Sequence, residues 1–389
     1  MDKKLSMNRR NLLRYGAALA GASALPRSRL AFAQAKGIKV ATWGGSWRDS
    51  LDKTIGSKLR PMATVDYVVD TPQGNLAKLV AARGQSVPFD TMESGLELVQ
   101  LMAADRYIED LDYDHLPNAK TLPKYAIAKN YAMTVGSVDG VVYNTAKYKE
   151  LGLAPPAKYS DLADPKLSGR VAFPDINHTQ HWNAVAGLAY EAGANESNLE
   201  ASIPLINKIK PAYFYSTSTD LSTKMASGEI WAAPWHAGFV VRLRRSNVPL
   251  AITYPQIGAH KGALWPVIHH IVRGTQNRDI AEKFLDLYLD PELQYEHARA
   301  TGVVPVQPTA VKKLSTDPEN KDVLPFEYIE RALSDLDTSA GSAKRLTGLF
   351  EWAKFSQHEP GPQMRDEAID ALVDVRDELR RAARDPVPA

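Results

Sequence analysis

Four groups of side chains in this sequence have types and spacing that could do chemistry. Asp175, His178 and His181 place a carboxylate and two imidazoles in one short stretch. Such groups hold metals, but no glutamate sits between the histidines as in a zinc-protease helix, so the set also reads as an ordinary polar loop. His269 and His270 are adjacent, and on a strand only one of them can face a given side. An imidazole there could donate to a carboxylate or accept from an amine. The tryptophans Trp43, Trp47, Trp235 and Trp265 form the third group, with His236 directly after Trp235. Their faces can hold an alkyl chain, or a cation at roughly 0.5 to 2 kcal/mol, although the same rings can equally plug a core. Glu93 and Asp175 are the fourth, as anionic anchors or as plain cap and surface carboxylates. The sequence has no Gly-x-Ser-x-Gly elbow, phosphate loop or dinucleotide fingerprint, so nothing points to an enzyme and no cofactor or metal is expected.

Short apolar runs alternating with amphipathic stretches must position these groups, which predicts α/β architecture. Strands are read at Ile38–Trp43, Val65–Val69 and Phe89–Met92, and helices at Ser46–Leu59, Asn75–Arg83 and Leu96–Ala104, together a βαβαβ unit. Ligands of open α/β sheets collect beyond the carboxyl ends of the strands. That rule selects Trp43, Gly44, Ser46 and Trp47 after the first strand, Gly74 and Asn75 after the second, and Glu93 and Ser94 after the third. Further strands are read at Gly140–Asn144, Gly169–Asp175, Ala212–Tyr215, Ile230–Trp235 and Gly262–Val272. Helices are read at Trp182–Ala192, Arg278–Tyr288, Phe326–Leu336 and Asp366–Arg384. The cluster Arg242-Leu243-Arg244-Arg245 reads as the end of a helix rather than a phosphate grip, and no nucleic-acid partner is expected.

Residues 1–35 have the form of a removable leader: paired Arg9 and Arg10, a short apolar run from Ala17 to Leu25, and an Ala31-Phe32-Ala33-Gln34-Ala35 exit. The paired arginines resemble the twin-arginine export signal, which predicts a periplasmic protein. The apolar run is about half the roughly 20 residues a membrane span needs. The leader carries seven of the basic residues against one aspartate, so the formal +2 of the whole chain becomes about −4 without it. With no cysteine, the chain has no disulfide and no site for a lipid anchor at its mature end. The remaining length exceeds what one core usually supports, which predicts two lobes.

Several motifs in order carry a resemblance: Val87-Pro88-Phe89-Asp90, Gly140-Val141-Val142-Tyr143-Asn144, Pro165-Lys166-Leu167-Ser168-Gly169-Arg170-Val171, Met225-Ala226-Ser227-Gly228-Glu229, and Ala281 through Glu292. From about Lys39 to Ala310 the chain resembles extracellular solute-binding proteins of ABC importers, in the spermidine/putrescine-type branch. The resemblance implies a two-lobed α/β clamshell of mixed sheets flanked by helices, with a small-molecule ligand in the cleft and an ABC permease as membrane partner. Lobe 1 would comprise 36–138 and 264–309, and lobe 2 would comprise 139–263 and 310–389, in a monomer. It further implies ligand contacts from Trp43, from Ser46 or Trp47, and from Ser94, Asp175, Trp235, Trp265 and Gln307. Iron-binding relatives use adjacent tyrosines, which Tyr213 and Tyr215 are not.

Polyamine-binding relatives carry an aspartate two residues after the tryptophan matching Trp265, and here that residue is Val267. An ammonium leaving water needs a charge partner, so the change weakens a diamine ligand and leaves a zwitterionic one close behind. The expected function is capture of a small amine-containing solute, polyamine-like or zwitterionic. Its candidate contacts are Trp43, Ser46, Trp47, Asn75, Glu93, Ser94, Asp175, His178, Trp235, His236, Trp265, His269 and Gln307. The alternatives are a secreted enzyme, a chemosensory binding protein, or a binder of an anionic solute or metal.

Overall fold

The computed structural model describes residues 36–326 apart from Gly84 and Asn177. The leader and, but for Phe326, the helices read at 326–336 and 366–384 lie outside the described residues. The strands in chain order are β1 (Gly37–Thr42), β2 (Thr64–Val69), β3 (Thr91–Ser94), β4 (Ile127–Ala128), β5 (Tyr131–Asn144), β6 (Ala172–Pro174), β7 (Tyr213–Tyr215), β8 (Ala232–His236), β9 (Leu250–Thr253), β10 (Gln256–Ile257), β11 (His260–Lys261), β12 (Ala263–Ile271) and β13 (Val304–Pro305).

The opening βαβαβ unit forms as the alternation predicts. β1 pairs in parallel with β2 on one side and β3 on the other. The connection from β1 to β2 is helical through Ser46–Leu51, a π-helical turn at Asp52–Gly56, and Ser57–Leu59. It buries Leu51, Ile55 and Leu59, whose fourfold spacing forms one apolar face. The second crossover, Pro72–Ala81, begins with proline in its first turn, and the Thr71 hydroxyl caps it by accepting from Gly74 N at 3.1 Å. The Leu96–Ala104 helix follows β3.

β5 is longer than the sequence pattern indicated, because the small and β-branched residues of Ala132–Val138 continue the strand that was read only at Gly140–Asn144. Its first half pairs antiparallel with β12 and β13, and its second half with β8 and β9. The partners change at Asp139, which lies opposite Ala263 of β12 and His236 of β8. β12 also pairs antiparallel with β3, so the nine-stranded sheet among the described residues is mixed. Gly140 is required where β9 crosses, since a Cβ there would collide with the Thr253 carbonyl.

One core cluster runs through both halves, from Val40 and Val135 to Trp235 and Phe284. A second gathers around Tyr159, Phe173 and Leu188, and a third around Ala41, Phe89 and Met92. The described residues from Gly37 onward cluster as one unit, because the halves share β5 rather than meeting through a linker. The stretch from Ala310, expected with the second lobe, lies in the helix Pro308–Leu314, which packs on Pro291–Thr301 and β13. Tyr254 reaches the following loop from the other half, its hydroxyl donating to Val323 O at 2.5 Å.

Candidate functional site

A cavity of about 470 Å³ opens at the carboxyl ends of β1, β2, β7 and β8. This is where the strand-end rule for α/β sheets places a ligand. β1 delivers Trp43 and Trp47 through Gly44-Gly45, with Gly45 at φ +63°, in the left-handed region that favours glycine. Their rings meet edge to face at 5.3 Å, and Trp43 meets Trp265 of β12 in the same way at 5.7 Å. Trp265 lies opposite Ser137 of β5, and both line the cavity. Three indoles thus form one apolar wall. The neighbouring Val267 also lines it, so the position that is aspartate in polyamine binders contributes only a methyl surface here.

The facing wall is polar. β7 ends in Ser216-Thr217-Ser218-Thr219, and all four residues line the cavity. His178 turns its Nε2 to Ser218 Oγ at 3.2 Å and packs on Tyr215 at 4.7 Å. Burial pushes its pKa down to about 4. Burial, reinforced by Arg242, also holds His236 well below the usual histidine range, so both imidazoles are neutral near pH 7.

Arg242 supplies the charge. It projects from the helix Ala237–Arg245 into the cavity, with Nε donating to Gly238 O at 3.1 Å and one terminal nitrogen donating to Ser46 Oγ at 2.8 Å. Its guanidinium lies 3.9 Å over the ring of Phe239, which stacks on Trp235 at 4.2 Å and meets His236 edge to face at 4.8 Å. Burial and the nearby Arg245 lower its pKa to about 10, which leaves it charged at neutral pH. Among the described residues no carboxylate pairs with it. Asp70, the carboxylate lining the opposite lip, is already bridged by Lys78 at 2.6 Å, whose hydrogen bond holds it below its ordinary pKa. The cavity therefore holds one compensated carboxylate and one uncompensated guanidinium.

Of the residues selected from sequence, Trp43, Gly44, Trp47, His178, His236 and Trp265 line this cavity, and the other candidate contacts do not. Ser46 stands behind Arg242 as the acceptor that fixes it. Asn75 is buried, accepting from Lys78 at 3.1 Å. Glu93 is buried beneath Trp47 and accepts from Thr42, from Trp47 Nε1 at 3.0 Å and from Tyr288 at 3.0 Å. Burial raises its pKa to about 7, partly offset by those three donors. It orients a cavity tryptophan from behind instead of meeting solute. Ser94 pairs with His270 Nε2 at 2.8 Å inside the first half of the sheet. His269 pairs with Thr91 and stacks on Phe284 at 5.6 Å, so neither adjacent histidine reaches the cavity; burial pushes them down to about 3 and about 4. Asp175 is outside the lining, its backbone tied to Tyr215 O at 2.9 Å and to His178 N at 2.8 Å. Trp235 is fully buried. Gln307 is also fully buried and ties three chain segments together, through Asn118 O, Leu289 O and the Thr121 hydroxyl. His181 turns its Nδ1 to Pro174 O at 3.0 Å, away from His178.

Sequence reasoning missed Asp70 to Gln73, Ser137, Gln180, the hydroxyl run 216–219, Phe239 and Arg242. The hydroxyl run carried a usable sign, four consecutive Ser/Thr residues just past a predicted strand. Arg242 carried none, since its side chain enters the cavity only because Phe239 and Gly238, three and four residues earlier, face the same way.

Replacing Trp265 by alanine removes one of the three indoles of the apolar wall, opposite Ser137, while both strands keep their register. Trp265→Ala is expected to weaken solute binding by more than about 1 kcal/mol with little loss of fold, as read by calorimetric titration and thermal melting. Unchanged affinity would make the ring a core element.

Together, the mixed sheet, the crossing strand β5 and a strand-end cavity between its halves define a periplasmic-binding-protein fold. The chain belongs to the bacterial extracellular solute-binding protein family, which it matches over residues 31–322. Solved structures share the fold. They include an ABC transporter substrate-binding protein from Bradyrhizobium japonicum, 18% identical with a TM-score of 0.63 over 77% of this chain and 92% of that one. A GABA receptor is 20% identical with a TM-score of 0.60 over 76% and 90%. AgtB from A. tumefaciens, solved with agropinic acid, is 15% identical with a TM-score of 0.60 over 77% and 96%. No curated protein matches this sequence.

Proposed function

We propose that the protein is the periplasmic receptor of an ABC importer and that its cleft captures a small solute bearing a carboxylate, with an apolar or amine-bearing body held against the indoles of Trp43, Trp47 and Trp265. The observation that carries this reading is the guanidinium of Arg242 in the cavity wall, which has no carboxylate partner among the described residues. A half-buried charge without a counter-ion is poorly compensated, and a ligand carboxylate taking two parallel N–H bonds from arginine supplies the missing partner. A diamine would bring two more positive charges to a cavity whose one carboxylate already has its lysine. The GABA receptor and the agropinic-acid-bound AgtB share the fold and take carboxylate-bearing molecules, which agrees with this reading. In it the leader directs export, the two halves close about β5, and the protein acts as a monomer on a membrane permease.

Thermal shifts of the purified protein against 4-aminobutanoate, 5-aminopentanoate, pentanoate, putrescine and spermidine test the reading. A ligand at about 1,000 times its Kd adds about 4 kcal/mol, enough to raise the midpoint by several degrees. Shifts with the carboxylates and none with the diamines are expected. Shifts confined to putrescine or spermidine would overturn it.

A further inference from the structure

Asp139 directly precedes the strand read from sequence at Gly140–Asn144, and the strand register puts it on the cavity side of the sheet. Directly opposed residues of an antiparallel pair share a face, as do residues two apart on one strand. Asp139 lies two residues after Ser137 and opposite His236, while Ser137 lies opposite Trp265. Ser137, His236 and Trp265 all line the cavity, so Asp139 sits on the cavity face of the sheet at the point where β5 passes from one half to the other. The first turns of the helix Gln180–Glu191 cover it. Asn183 donates to its Oδ2 at 2.5 Å. No donor meets its Oδ1 at full hydrogen-bond geometry, Gln180 and Ser137 giving the carboxyl only looser contacts, although the residue is only 2% exposed.

The residue between Asp139 and the open cavity repeats the pattern. Gln180 is 4% exposed, lines the cavity, and leaves its Oε1 without a partner. A buried acceptor without a full hydrogen bond is costly, and two on adjoining groups at one cavity wall mark a place built for donors. No lysine or arginine among the described residues pairs with Asp139. Burial raises its pKa to about 7, with Asn183, Gln180 and Ser137 easing the rise. That is the behaviour of a carboxyl whose counter-cation the chain itself does not supply.

We propose that Asp139 and Gln180 form the cation end of the solute site, in which Gln180 Oε1 accepts from an ammonium group of the ligand and the Asp139 carboxylate behind it balances the charge. With Arg242 as the anion end of the same cavity, the class of ligand is then a zwitterion that carries both a carboxylate and an ammonium group. This rests on the carboxylate reading of Arg242. Asp139 is a positioning residue in this arrangement, and Gln180 is the contact.

Calorimetric titration with 4-aminobutanoate, 5-aminopentanoate and 6-aminohexanoate, each beside its amine-free counterpart butanoate, pentanoate or hexanoate, separates the two poles. The wild type should prefer at least one amino acid over its counterpart by tenfold or more. Asp139→Asn and Gln180→Met should each bring that preference close to one by losing affinity for the amino acid, with alkanoate affinity changed less than about twofold. A structural role alone would lower both ligands together. If both variants keep the preference, the cation end lies elsewhere and the proposal falls, even where Arg242→Met abolishes binding of both series. If Arg242→Met changes neither series, the carboxylate reading itself is wrong. A wild type that binds no member of either series rules out this ligand class.

Discussion

Arg242→Met should reduce affinity for a carboxylate-bearing solute by about 100-fold or more while shifting the melting midpoint by no more than a few degrees. Removing one partner of a buried, hydrogen-bonded charge pair costs about 2–5 kcal/mol, and each 1.4 kcal/mol is about tenfold in Kd. The effect should be this large because no other group in the wall can take over. His178 and His236 are neutral at pH 7, and the lysine at the lip is committed to Asp70. Methionine keeps an unbranched apolar stem and loses only the guanidinium that lies over Phe239, so the change in packing is small. Arg242→Lys should recover little, since an ammonium cannot give the two parallel bonds of a guanidinium and cannot reach Gly238 O and Ser46 Oγ together. Isothermal titration at pH 7.5 reads both variants. An Arg242→Met protein that binds within threefold of wild type would remove the carboxylate from the proposed ligand.

The sequence pattern exposed most of the fold because the fold is carried by local periodicity. The parallel unit β2-β1-β3 and its crossover helices follow from alternating and fourfold apolar spacing, and the strand-end rule then led to Trp43 and Trp47. The difficulty began with groups that sit at strand ends without facing out of them. Glu93 and Ser94 are at the end of β3, but β12 pairs along its full length and covers both, which turns Glu93 under Trp47 and Ser94 onto His270. The pairing of β12 between β3 and β5 is a long-range contact that local sequence does not reveal. Asp139 illustrates the converse. It looks like half of an Asp-Gly turn, but Gly140 serves the close crossing of β9 and the aspartate continues an unbroken strand. Arg242 escaped notice because the sequence shows a basic cluster at a helix end, and only helix phase separates the residue that enters the cavity from Arg244 and Arg245, which remain outside.

Trp235→Ala should destabilise the protein by about 3–5 kcal/mol, the range for deleting a buried large aromatic side chain, and so shift the chemical denaturation midpoint well below wild type. Sequence position and family resemblance both cast this ring as a ligand contact at the end of β8. In the structure it has no exposed surface, its Nε1 donates to Ser218 Oγ at 3.1 Å, and its face lies on Phe239 with an interplanar angle of 16°. Each of those partners lines the cavity, so Trp235 is the support on which the polar wall and the Phe239–Arg242 stack are mounted. Trp235→Phe should therefore separate the two contributions. It keeps most of the stacking surface and loses the Ser218 bond, with a cost nearer 1 kcal/mol, and should retain most of the affinity, because Phe239 still presents Arg242. A Trp235→Ala protein of wild-type stability that had lost only its solute binding would restore the ring to the ligand surface.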